Sequence, residues 1–506
     1  MFIEPEYDSF ARVYEDGGNQ VVWTKVVSDL ETPVSAMLKI ARNEPNSFLL
    51  ESVEGGAVRG RYSIIGLRPD LIWRANGETA EVNRQALVDA ENGFVTCPEP
   101  PLTSLRSLLA ESRIALPENL PPMAAGVFGY MGYDMVRLME RLPADKPDPI
   151  GVPDAILVRP TVMAIFDAVR DEVTLVTPVF PGDGVSAKAA YTRARDRIED
   201  VVAALDQPLP HDARGDLVDS EPESTISNIS PDEYMAIVDR AKDYIGAGDI
   251  FQVVLSQRFE TPFALPPLSL YRALRRVNPS PFLYYLNFAG FAVIGSSPEI
   301  LVRVRDGRVT IRPIAGTRPR GATPSEDRAL AEELLADPKE RAEHLMLLDL
   351  GRNDVGRVAR IGTVEVTDQF ILEYYSQVMH IVSNVEGVLD DTHDAIAALV
   401  AGFPAGTVSG APKVRAMEII DELEKDKRGI YAGCVGYFSA NGDMDTCIVL
   451  RTAIVKDGTM YVQAGAGVVA DSVPLSEHQE CINKAKALFR AADEAVRFAG
   501  APRHGQ

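Results

Sequence analysis

The chain has 506 residues, of which 46% are hydrophobic and 25% charged, and carries a formal net charge of −22. Such a composition supplies ample core for two domains or one large α/β unit. It excludes a nucleic-acid partner, because phosphate binding needs a cationic surface and no basic run occurs, but it allows a small anionic substrate held by locally concentrated cations.

The N-terminus, MFIEPEYDSF, is acidic and lacks an apolar signal region, and no later run is long enough to span a bilayer. A soluble cytoplasmic protein with no membrane association is therefore expected. Residues 20–170 read as short alternating runs (SFLLESV, YSIIGL, DLIWRA) with helical patches between them, a mixture that suits an antiparallel sheet with helices against it. Residues 205–231 are polar, acidic and proline-punctuated. The predicted organisation is an N-terminal domain over 1–204, a linker or exposed loop over 205–229, and a second domain over 230–506. No internal repeat of fixed period is found, and Cys97, Cys434, Cys447 and Cys481 show neither C-x-x-C spacing nor a disulfide framework.

Ser230, Pro231 and Glu233 spell a helix start, with Gly246 and Gly248 ending the helix. IFQVVLSQRF follows as a strand carrying Gln252 on one face. YYLNFAGFAVIGSSPEILVRV reads as a hairpin broken at 295–298, with Glu299 at the restart of a strand, and VTIRPIAGTRPRG as a strand running into a turn. Residues 325–350 are predicted helical. Within them Asp337 and Pro338 look like an N-cap and first helical position, and Glu340 stands where its carboxylate can reach back to the cap. Glu340, Glu343 and Leu347 share one stripe of that helix, and His344 with Leu348 lies beside it. DTCIVLRTAIV and TMYVQAGAGVVA form a predicted hairpin across 456–458, with Arg451 in the middle of the first strand. A buried arginine there is either half of a structural ion pair or a carboxylate anchor. The last helix, near 476–489, repeats Glu477, Glu480 and Lys484 along one face.

Two helices thus each present Glu-x-x-Glu. Solvated helices carry that pattern often, but four carboxylates facing one another need a cation between them. Mg²⁺, a hard ion that prefers oxygen ligands and keeps waters, suits such a site. Two loops are decoys. The 465–470 segment fits a loose dinucleotide pattern without the helix that must follow it, and GTVSGAPK (406–413) has Pro412 where a phosphate loop needs glycine.

Taken together, LLESVE, GRYSIIG, GDIFQVVLSQRF, NPSPFLYYL, GSSPE, PIAGTRPRG, KERAEHLMLLDLGRNDVGRV, GTVSGAPK, GIYAGCVGYF, CIVLRTAIV, QAGAGVVADSVP and EHQECINKA resemble, in order, the motifs of the chorismate-utilising enzyme family. The resemblance implies an α/β (α+β) fold, a sandwich of large, mainly antiparallel sheets with helices packed outside. It implies Mg²⁺ on Glu343 and Glu480, supported through water by Glu340 and Glu477. Chorismate is expected against Gly316, Thr317, Tyr431, Arg451, Lys484 and the Gly465, Ala466 and Gly467 backbone. Glu299 matches the acid that protonates the departing C4 hydroxyl, and His344 is matched to the histidine associated with pyruvate loss.

Family members that activate water carry a lysine at the position of Gln252, and those that attack C2 covalently carry one at Ala315. The pair Gln252 and Ala315 therefore points to ammonia adding at C2 and to anthranilate as product. No cysteine stands in a Gly-x-Cys-x-Gly setting, so a separate glutamine amidotransferase subunit is the implied ammonia source, within a heterotetramer. Ser52, Pro281, Phe282 and Leu283 lie in segments that match a feedback site for tryptophan. Phe282-Leu283 departs from the commoner Tyr-Met, and NPSP is also an ordinary turn.

Overall fold

The computed structural model describes residues 1–54, 58–142, 146–209, 225–375 and 378–500. Twenty-two strands join one hydrogen-bonded network, and its ladders are antiparallel throughout the described residues. Strand alternation divides the buried side chains between two layers. Leu49, Ile65, Leu283, Tyr285 and Ile294 point to one layer, where they pack with Leu274 and Leu488 of the helices Pro267–Val277 and Pro474–Gly500. Their neighbours Phe48, Ile64, Tyr284, Leu286 and Val293 point the other way, onto Phe128, Val435 and Tyr437. Each such side chain fully buried contributes about 1.5–3 kcal/mol over exposure. Helices outside, sheet faces inside: the expected fold class is what the chain adopts.

The strand Ser47–Glu54 pairs with Phe282–Phe288, and Gly126–Met131 pairs with Cys434–Ser439, so the sheet runs across both halves of the chain. The expected 205–229 linker falls mostly outside the described residues. Before it, the helix Ala187–Leu205 ends, and within it Ile226–Ser227 pairs with Phe259 and Glu260.

Local chemistry explains the helix boundaries. Ser230 and Glu233 close the expected capping box at 3.3 and 2.9 Å, and Gly248 ends that helix with φ +86°. Residues 325–350 form two helices, Pro324–Ala336 and Pro338–Gly356, which meet at Asp337. The Asp337 carboxylate accepts from the Lys339 and Glu340 N–H groups at 2.9 and 3.3 Å. The Glu340 carboxylate does not reach back as expected, because Arg318 draws it away at 3.1 Å.

Two readings of strand length change. YSIIGL and DLIWRA lie in one 19-residue strand, Val58–Asn76, with a register shift between Pro69 and Leu71. DTCIVLRTAIV instead breaks into Met444–Ile448 and Thr452–Lys456. Arg451 stands at that break with φ +49°, so it is not mid-strand, and its left-handed backbone turns it out of the ladder.

Candidate active site

The acidic helix Pro338–Gly356 and the long helix Pro474–Gly500 border a cavity of about 700 Å³. Its walls include Glu340, Glu343, Glu480 and Lys484 from these helices, and Gln252, Ala315, Gly316, Thr317, Tyr375, His380 and Arg451 from the strands and their ends. Glu343 accepts from Gln252 Nε2 at 3.1 Å. Burial pushes its carboxyl above the usual range, and the negative charges of Glu340 and Glu480 push it the same way. Two helices distant in sequence therefore do bring carboxylates within electrostatic reach. Glu480 pairs with Lys484 at 2.7 Å. Glu477, which does not line the cavity, is also raised, by burial and then by Glu480.

No group of three or more His, Cys, Asp or Glu stands close enough to hold a metal among the described residues. Glu343 and Glu480, two carboxylates in the wall of one cavity, still offer the oxygen-only chemistry that suits a hard cation keeping several waters. Glu343 carries the cost of burial first, and of its acidic neighbours second, as a raised proton affinity. Lys339 and Asp471, 3.0 Å apart, tie the start of the acidic helix to the turn preceding the long one.

The cationic side is built differently. Arg451 has no carboxylate within ion-pair distance among the described residues, and burial lowers its proton affinity. Of the two readings open for it, the structural ion pair is absent there. Lys484 Nζ donates to the Gly465 carbonyl at 2.9 Å. At Gly465 a Cβ would lie 2.8 Å from the Tyr431 hydroxyl, and at Gly467 one would lie 2.7 Å from Gln252 Nε2. Gly465 is closed in further by the Leu255 carbonyl at 3.0 Å, whereas at Gly467 a side chain would have to displace the Gln252 amide. Tyr431 is buried behind this strand and accepts the Gly465 N–H; Ala466 is buried in the core behind it. Tyr431, Gly465, Ala466 and Gly467 back the cavity wall and do not line it.

Glu299 borders a smaller adjoining cavity of about 30 Å³, with Thr407 and Leu347 lining both. The Thr407 hydroxyl contacts both Glu299 oxygens at 3.2 Å. Burial raises the carboxyl to about 8, against the opposing hydrogen bonds from Thr407 and the Ile314 N–H. Glu299 is therefore protonated at neutral pH.

His344 does not reach the cavity. It is fully buried, with Nε2 2.7 Å from Ser383 Oγ and its ring edge-on to Phe370. The imidazole in the cavity wall is His380, which the sequence reading passed over. His380 Nδ1 lies 3.2 Å from the Gly316 carbonyl and 2.9 Å from Thr317 Oγ1. A carbonyl only accepts, so Nδ1 carries the hydrogen and Nε2 the lone pair. Burial, with the positive charge of Arg451, lowers this imidazole to about 4 and keeps it neutral. The available signal was a single imidazole inside the apolar run VMHIVSNV.

The segments matched to a tryptophan site also meet. Ser52 pairs with Phe282 and Glu51 with Leu283, just after Pro281. The neighbouring Asn278, Pro279 and Ser280 line the large cavity.

Residues 68–490 match the family model of the chorismate binding enzymes, and the chain belongs to that family. Within it, the chain groups with proteins named anthranilate synthase component 1. It is 58% identical to that of Cereibacter sphaeroides over 97% of this chain and 98% of the relative. The Pseudomonas aeruginosa protein of the same name is 47% identical over 96% and 98%. The crystal structure of anthranilate synthase component I from Streptococcus pneumoniae superposes with a TM-score of 0.74 at 38% identity, covering 85% of this chain and 92% of that one. The menaquinone-specific isochorismate synthase of Escherichia coli shares the fold, with a TM-score of 0.69 at 20% identity over 96% and 98%. No helix among the described residues is long and apolar enough to cross a membrane.

Proposed function

We propose that the chain converts chorismate and ammonia to anthranilate, pyruvate and water, the reaction that commits chorismate to tryptophan. One observation carries the reading. A single cavity joins a carboxylate pair to an arginine with no carboxylate partner among the described residues. A dianionic substrate with a divalent cation meets both halves.

Glu343 and Glu480 would hold Mg²⁺, with Glu340 and Glu477 supporting through water. When bound, the ion would neutralise the ring carboxylate and draw electron density toward C1, making C2 receptive. Arg451 and Lys484 orient the substrate carboxylates, and the wall of Gly316 and Thr317 faces the ring. Gln252 Nε2 is engaged by Glu343, while its Oε1 is buried without a partner. Glutamine cannot deprotonate water, which disfavours the isochorismate reaction. Ala315 offers no amine, which disfavours the covalent route to 4-amino-4-deoxychorismate. Glu299, neutral at working pH, gives its proton to the departing C4 oxygen. His380, with a free Nε2 lone pair, accepts the ring proton as pyruvate leaves; His344 is too remote from the cavity for that role.

The remaining parts of the reading follow from kinship. A component 2 partner would release ammonia from glutamine, and tryptophan would bind near Ser52, Pro281, Phe282 and Leu283. Incubation with chorismate, Mg²⁺ and an ammonium salt tests the core claim. Anthranilate fluorescence without added lyase is expected; accumulation of 4-amino-4-deoxychorismate would assign the chain to the sibling activity.

A further inference from the structure

The Arg428 guanidinium is sealed inside the fold, its side chain 1% exposed and that of its partner Glu424 7%. A buried arginine is costly unless its donors are met. Nε and Nη2 donate to the Glu424 carboxylate at 2.9 and 2.6 Å. Nη1 donates to the Val408 carbonyl at 2.7 Å, and Nη2 also to the Val254 carbonyl at 2.6 Å. Glu424 in turn accepts the Ser256 N–H and hydroxyl at 2.7 and 2.9 Å. The guanidinium carbon sits 4.9 Å from the Tyr133 ring centre and 5.6 Å from that of Tyr431.

Three of these contacts lead toward the cavity. Val408 follows Thr407, whose hydroxyl holds Glu299. Val254 lies two residues from Gln252, the donor to Glu343. Tyr431 takes the N–H of Gly465, whose carbonyl takes Lys484. Hydrophobic packing is non-directional and cannot register three such segments to one another. A planar fork of donors can, because it holds its acceptors at fixed angles.

We infer that Arg428, buttressed by Glu424, is a positioning residue: through the Val408 carbonyl it sets Thr407, and with it the Glu299 carboxyl, against the cavity. The inference rests on the reading of Glu299 as the proton donor. Arg428→Lys keeps the charge but cannot meet Glu424, Val408 and Val254 together. Freed from Val408, Thr407 loosens from Glu299. Its hydrogen bond lowers the affinity of that carboxyl for its proton, so losing it moves the basic limb of the kcat profile to higher pH.

The test is a double-mutant cycle on purified protein, with melting temperature recorded for each variant. Arg428→Lys should lower kcat by about tenfold or more and move the limb upward. Thr407→Val should move it the same way, and adding Arg428→Lys to Thr407→Val should move it no further. A limb that stays in place in Arg428→Lys while shifting in Thr407→Val, or additive shifts in the double variant, overturns the inference alone. A limb unmoved by Thr407→Val overturns the reading of Glu299 and the inference with it. Should Arg428→Lys fail to fold, Glu424→Gln enters the same cycle, with the same limb shift expected and an unmoved limb decisive against it.

Discussion

Arg451→Met separates a binding cation from a structural one. The guanidinium is largely withdrawn from water and faces no carboxylate among the described residues, and burial lowers its affinity for a proton. A buried charge without a partner costs several kcal/mol, reduced by whatever water reaches it. Methionine fills much of the same volume at the same left-handed backbone position, so the backbone term nearly cancels. The variant should therefore be as stable as wild type or more so, by about 1–2 kcal/mol, read as a rise of about 1–2 °C in Tm. Binding runs the other way. Truncating one member of a buried charge pair costs about 2–5 kcal/mol, which at about 1.4 kcal/mol per decade lowers kcat/KM for chorismate by roughly 30-fold to several thousandfold. The assay is anthranilate fluorescence with saturating ammonium and Mg²⁺, paired with thermal melts of the ligand-free protein. A variant that melts well below wild type and keeps its KM would mean that Arg451 braces the fold, and the carboxylate-anchor argument would fail.

Other perturbations probe the remaining walls. Glu343→Gln should raise the Mg²⁺ concentration for half-maximal activity by about tenfold or more; an unchanged Mg²⁺ titration would remove Glu343 from the metal site. Glu299→Gln should abolish turnover and also alter stability. Between pH 4.5 and about 8 the folded carboxyl keeps a proton that the unfolded chain has lost. Wild-type stability therefore falls with rising pH across that window, by at most about 1.4 kcal/mol per unit, and the amide lacks this slope. Urea unfolding at pH 5 and pH 8 measures the difference; parallel behaviour of the two proteins would refute the raised carboxyl. His380→Ala should slow pyruvate release more than chorismate consumption, measured in single turnovers. His344→Ala should cost stability while leaving that ratio unchanged, and the reverse pattern would return the role to His344.

What was legible in the sequence was mostly local. The Ser230–Glu233 cap, the Gly248 stop and the break at 295–298 each depend on residues within a few positions of one another. The spacing of Glu340 and Glu343, and of Glu477 and Glu480, placed each pair on one helical face. That the two faces approach came from family likeness, because no local rule sets the distance between helices more than a hundred residues apart. Other features depend on partners far along the chain. Arg318, beyond the helix start, captures Glu340 and undoes a capping box that local pattern favoured. CIVLRTAIV contains no glycine or proline, so nothing in it announces the turn at Arg451; the break appears where the chain ends its pairing at Ile448 with Cys434 and takes up a new one at Thr452 with Gly295. His380 reads as one more residue of an apolar strand until Thr317 is known to lie opposite it.

The cavity's remaining costs share one direction. Gln252 Oε1 is a buried acceptor without a donor among the described residues, Arg451 is a cation without an anion among them, and Glu343 is a carboxylate raised by burial and then by two others. A fold selected for stability alone would remove each of these by an apolar substitution. All three residues line one cavity, and the demands of the arginine and the carboxylates are complementary: anionic charge for the one, a divalent cation for the other. On the proposed function, a dicarboxylate and Mg²⁺ would meet them together. The Glu424–Arg428 pair shows the contrast, since its donors are met and it lies behind the wall. In this wall the charges left unmet are those a ligand would answer, and the satisfied pair behind it is what the inference above assigns to holding the wall in shape.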